Sequence, residues 1–188
     1  MKEDKVYDPS QLLTMGLLGA LSLALPFIFH LLPQGKIFLP LFLPISIAGF
    51  LLGLKYALCL CILVPVFSFV LHGMPPLLVP PIGIMMIFEL SLLVFLNHVF
   101  YQRCRWNIYA AALVSLIINR ICYLAILFFV ANLLKIPQMT FTLYSAIKPF
   151  PGLILLAIFI PSLVLSLKQI PFFSKTSSLQ EEWQNLGR

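Results

Sequence analysis

The sequence predicts an all-α integral membrane protein, a six-helix transmembrane bundle with both termini in the cytoplasm. Three observations carry that expectation. Of 188 residues, 61% are hydrophobic and only 10% charged, whereas a soluble domain carries about 25% charged residues. The apolar residues gather in long runs with short polar punctuation, the pattern of a polytopic helical protein; a transmembrane β-barrel would show short alternating segments instead. The basic residues flank those runs, so the net charge of +6 reads as a topology signal rather than a nucleic-acid footprint.

Residues 1–11 are expected to form a short cytoplasmic segment. MKEDKVYDPSQ holds three acids, unlike the basic start of a secretory signal, so the first apolar run reads as a retained helix. That span is predicted over Leu12–Leu32. Gly16, Ala20 and Ala24 recur along it every four residues. They make one face of small side chains on which another helix can approach closely in lipid. Spans 2 and 3 are predicted over Ile37–Leu54 and Tyr56–Leu71, joined only at Gly53–Lys55. Both fall short of the roughly 20 residues that cross a bilayer core. Pro40 and Pro44 lie a turn apart in span 2, and Pro65 is expected to interrupt span 3. Broken helices are tolerated at membrane depth where protein buries them or they line a cavity, so a cavity is expected on this side. Gly49 and Gly53 form a GxxxG pair, more often a sign of internal packing.

The loop HGMPPLLVPP, His72–Pro81, follows span 3. Gly73 permits unusual backbone angles while the prolines fix φ and remove donors, which suits either a lid or a plain rigid turn. Span 4 is predicted over Ile82–Tyr101, and Tyr101 and Trp106 bracket the RCR turn as interfacial anchors would. Spans 5 and 6 are predicted over Ile108–Leu134 and Ala146–Leu167. Together the spans make one membrane domain, residues 12–167, followed by a cytoplasmic tail over 168–188. With the N terminus inside, Lys2, Lys5, Lys55, Arg103, Arg105, Lys168, Lys175 and Arg188 fall inside, against Lys36, Lys135 and Lys148 outside. That asymmetry favours both termini inside.

Away from the ends of the spans only two charged side chains remain, Glu89 and Arg120, and each is costly at membrane depth. Glu89 lies seven residues past Ile82, about 10 Å from the outer surface at 1.5 Å per residue. Arg120 lies thirteen residues past Asn107, about 20 Å from the opposite surface. In a core about 30 Å thick the two meet at one level. They are expected either as an ion pair fixing span 4 to span 5, or as the charged part of a polar cavity that holds a ligand. Asn119 and Tyr123, one turn apart on span 5, favour the second, with Lys148 at the outer mouth of span 6 and His72 at the outer end of span 3. His30 reads as an interfacial anchor, Asn97 as interhelical packing and Asn132 as an end-of-helix residue.

Catalytic templates fail. HExxH, GxSxG, Walker A and Gly-rich phosphate loops are missing from the sequence, so no enzyme and no resident cofactor is expected. Cys59, Cys61, Cys104 and Cys122 form no CxxC pair and stand near no histidine at ligand spacing, so no metal site is expected either.

The chain resembles the substrate-binding S components of energy-coupling factor (ECF) transporters. The likeness rests on the six predicted spans, FLPLFLPISIAGFLLGLKYAL at Phe38–Leu58, HGMPP at His72–Pro76, MIFEL around Glu89 and the Ala20-xxx-Ala24 spacing. It covers most of the chain, although CLCILVPVF at Cys59–Phe67 departs from the family's small-residue-rich third span. The resemblance implies capture of a vitamin or related micronutrient from outside a bacterial or archaeal plasma membrane, with the outer loops closing over it. It implies docking through span 1 on a membrane coupling protein that carries two cytoplasmic ATPases. Glu89 would then take a donor or cationic group, Arg120 an anionic or carbonyl group, and Lys148 a second anion. A zwitterionic or amide-rich heterocycle would suit. A different class stays open, a cell-wall elongation scaffold similar to the MreD family, which would bind no small molecule and leave Glu89 and Arg120 as a structural pair.

Overall fold

The computed structural model describes residues 9–30, 41–72, 82–133 and 150–170. All regular structure among them is helical. We number the helices α1 (Pro9–His30), α2 (Phe42–Leu51), α3 (Leu54–His72), α4 (Ile82–His98), α5 (Ile108–Leu133) and α6 (Phe150–Gln169), with a π-helical turn, Val99–Arg103, continuing α4. Five of these are long and apolar enough to cross a membrane, and α2 is shorter. Ten residues rise about 15 Å, half a bilayer core.

Proline placement explains where the helices begin and why they persist. Pro9 opens α1 and Pro44 sits in the first turn of α2, where a missing N–H costs nothing because those donors lack intrahelical partners anyway. Pro65 does not interrupt the third span as expected: α3 runs through it without a break, and the ring is buried. Neighbouring helices hold such a residue in a membrane helix. Asn107 caps α5, its side-chain oxygen accepting from the Tyr109 N–H at 3.4 Å and its carbonyl from Ala111 at 2.8 Å.

α2 is the axle of the bundle. Nine of its ten residues, and Leu52 beyond it, are buried hydrophobics, a serine, a proline or a glycine, and it packs against α1, α3, α4 and α6. Around it run the contacts α1–α3, α3–α4, α4–α5 and α5–α6. Leu13, Val70, Ile121, Phe129 and Ile158 point outward, each more than half exposed, as a surface solvated by lipid tails allows.

Small and polar residues set how closely the helices approach. A Cβ on Gly49 would stand 3.1 Å from the Val94 carbonyl oxygen and 3.1 Å from Asn97 Cβ, so of the expected glycine pair Gly49 serves an internal α2–α4 contact. Asn97 donates through Nδ2 to Ser46 Oγ at 2.9 Å, the interhelical role expected of it. Gly53 N–H donates to Gln11 Oε1 at 3.0 Å, tying the α2–α3 joint to the start of α1. Tyr101 has internal partners: its ring meets Phe50 edge-on at 5.5 Å and its hydroxyl accepts from Lys168 Nζ on α6. Trp106 does lie exposed, stacked on Phe100 at 5.0 Å. These contacts gather Gln11, Gly53, Tyr101 and Lys168 at one end of the bundle, with Lys55, Arg103 and Arg105 in the turns there. We call it the basic end.

Candidate functional site

The polar residues away from the basic end come from two helices. On α4, Glu89 follows seven residues from the helix start. On α5, Ser115, Asn119, Arg120 and Tyr123 recur at helical spacing and so share a side of the helix. α4 and α5 pack against each other, and the pairing inferred from depth is realised. Arg120 Nη1 stands 3.6 Å from Glu89 Oε1, with the side chains 13% and 10% exposed. The guanidinium carbon also lies 4.9 Å from the Tyr123 ring centroid, within range of a cation–π contact.

An N···O separation of 3.6 Å is an ion pair without a well-formed hydrogen bond, since charge-assisted bonds run about 2.7–2.9 Å. The two charges compensate one another across α4 and α5. Beside them, Asn119 is 3% exposed and Ser115 fully buried, yet Asn119 Oδ1 and Ser115 Oγ have no hydrogen-bond partner among the described residues. Sequence reasoning found Asn119 but missed Ser115. Its signal was the four-residue spacing to Asn119, which lies on an otherwise apolar run and is easily taken for packing.

The depth of α2 relative to this site follows from its partners. Ser46 meets Asn97 and Phe50 meets Tyr101, so α2 and α4 run in the same direction. Gly49 lies against Val94 and Asn97, so the first turn of α2, four to seven residues earlier, lies near the level of Glu89.

Of the other expected site residues, Lys148 and the GMPPLLVPP segment lie outside the described residues. His72 ends α3 and His30 ends α1, and their side chains lie outside them too. Among the described residues no cluster of three metal-ligating side chains occurs.

On α1 the expected small-residue face points out of the bundle. Gln11, Thr14, Leu18 and Ser22 form the buried strip, while Gly16, Ala20 and Ala24 are exposed between Leu13, Leu17 and Leu21. A Cβ on Gly16 would meet nothing within 4 Å, whereas one on Gly19 would meet Leu60 Cδ1 at 3.1 Å. Gly19 is thus the glycine that serves internal packing, and Gly16 is not.

Comparison with known proteins agrees with this architecture. The family model for the ECF transporter substrate-specific component matches residues 10–174, and nothing in that match supports the scaffold reading. Neither the curated proteins nor the solved structures gave a match.

Proposed function

This chain belongs to the family of ECF transporter substrate-specific components, and from that premise we propose that it captures a vitamin-like small molecule between α4 and α5. One observation supports the reading above others: a buried Glu89–Arg120 pair at 3.6 Å with Asn119 and Tyr123 beside it. Glu89 takes a donor or cationic group of the ligand, and Arg120 a carbonyl or anionic group. Lys148 and His72 complete the site from the far end, and the proline-rich loop covers it.

In this reading the basic end is cytoplasmic, because Lys55, Arg103, Arg105 and Lys168 gather there. Six helices then lie in the plasma membrane of a bacterium or archaeon, both termini are cytoplasmic, and ligand arrives from outside. The exposed Gly16–Ala20–Ala24 face of α1 docks on the membrane coupling protein, whose two ATPases supply the energy. Its small side chains let a partner helix approach closely.

Native mass spectrometry of the detergent-purified protein tests the capture step. Wild type is expected to retain a small-molecule mass that Glu89→Gln and Arg120→Met lose. For Arg120→Met the expected loss of affinity is about 2–5 kcal/mol. A folded Arg120→Met protein that binds as well as wild type removes Arg120 from the site.

A further inference from the structure

We infer that Asn119, with Ser115 one turn toward the basic end, is a specificity-determining residue that reads an uncharged edge of the ligand carrying adjacent N–H and C=O groups, as on a lactam, ureide or primary-amide-bearing ring. The inference rests on the capture site proposed above and narrows what it holds.

The other serine and threonine hydroxyls among the described residues have partners. Thr14, Ser22, Ser162 and Ser166 each donate to the carbonyl four residues back, at 2.7–3.0 Å, and Ser46 accepts from Asn97. Ser115 Oγ does none of this, although it is fully buried. Asn119 Oδ1 is likewise without a partner among the described residues at 3% exposure. Lipid offers such groups nothing, so they need a protein or ligand partner. Asn97 Oδ1 and His98 Nδ1 also lack partners, but they lie toward the basic end, about 12 Å or more along α4 from Glu89, and the Asn97 amide is already engaged through Nδ2.

Charge narrows the chemistry. Glu89 and Arg120 compensate each other in the site as it stands. A ligand group of single charge entering at this level would strand one of them, which is costly away from water. A group of zero net charge strands neither. A carboxamide such as Asn119 matches an uncharged N–H/C=O edge with one donor and one acceptor, the bidentate geometry by which Asn and Gln read a base edge. Ser115 can both donate and accept and so extends the same strip.

The test uses the full-length protein in detergent, incubated with an equimolar mixture of water-soluble vitamins and read by native mass spectrometry. The vitamin that wild type retains is then titrated into Asn119→Leu, Asn119→Asp and Ser115→Ala, with monodisperse elution and helical circular dichroism as controls for folding. Asn119→Leu is expected to weaken binding about 10- to 100-fold and to stop distinguishing the retained vitamin from its N-methylated analogue. Asn119→Asp, which adds an uncompensated charge, is expected to weaken it further, and Ser115→Ala about 3- to 10-fold. Wild-type affinity and undiminished discrimination in folded Asn119→Leu overturn the inference while leaving the Glu89–Arg120 site standing. Retention of no vitamin by wild type, or equal retention by Glu89→Gln and Arg120→Met, brings down the capture site and this inference with it.

Discussion

Glu89 and Arg120 face each other across α4 and α5, with side chains only 10% and 13% exposed. Two charges on separate apolar runs, each counted from its own end at a fixed rise per residue, fell at one depth, and the side chains meet at 3.6 Å. Ser115 was not legible in the same way, because a lone serine on an apolar helix is ordinarily bonded to its own backbone, and only the structure shows that this one is not. The pair carries a stability prediction separate from binding. Glu89→Gln alone or Arg120→Met alone strands a buried charge and is expected to cost about 3–5 kcal/mol. Replacing both together by Glu89→Leu and Arg120→Met is expected to cost much less, since no charge is left behind. Denaturant unfolding in mixed micelles reads the difference. A double variant as unstable as the worse single one would mean that packing, not charge, sets the penalty. Ligand binding is expected to be lost in all three.

At the scale of the element, helix existence and rough limits were readable for α1, α3, α4, α5 and α6, because a long apolar run has few alternatives. The interruption expected at Pro65 was not found, since tertiary packing holds α3 through it. The direction each glycine faces was not readable at all: Gly16 and Gly49 both belong to small-residue patterns, yet one opens on empty space and the other on the backbone of α4. Alanine at the two sites is therefore expected to act oppositely. Gly49→Ala forces α4 away from α2 and is expected to destabilise by about 1–3 kcal/mol. Gly16→Ala should leave stability unchanged or raise it by up to about 1 kcal/mol, as removing glycine from a helix interior does. Ala20→Trp should likewise spare folding and ligand binding while blocking co-purification with the coupling protein. Unimpaired co-purification would move the docking face off α1. Arg105 offers a related check. It is the one non-glycine residue with positive φ among those described, at 55°, and Arg105→Gly is expected to stabilise the α4–α5 turn by about 1 kcal/mol.

For the whole molecule, hydropathy and charge asymmetry gave the class and an orientation, and the basic end collects the residues that the charge rule requires. Native cysteines can report that orientation. Cys104 lies exposed in the turn between α4 and α5, whereas Cys59 is exposed on the apolar outer face and Cys61 is buried. A membrane-impermeant maleimide is expected to label Cys104 only in inverted vesicles, and Cys104→Ser should abolish that signal. Labelling of Cys104 in right-side-out vesicles would invert the topology and place the site on the cytoplasmic side.

The burial of α2 also has a consequence for biogenesis. A ten-residue helix has too little length to be sorted into the bilayer by itself, and its walls are made at different times. α1 precedes it, α3 and α4 follow, and α6, which closes the remaining side, is synthesised last. Until α6 leaves the ribosome, the centre of the protein lacks one of its neighbours. A chain stopped after α5 is therefore incomplete at its heart rather than at its edge, and membrane quality-control proteases should clear it faster than a chain truncated after α6.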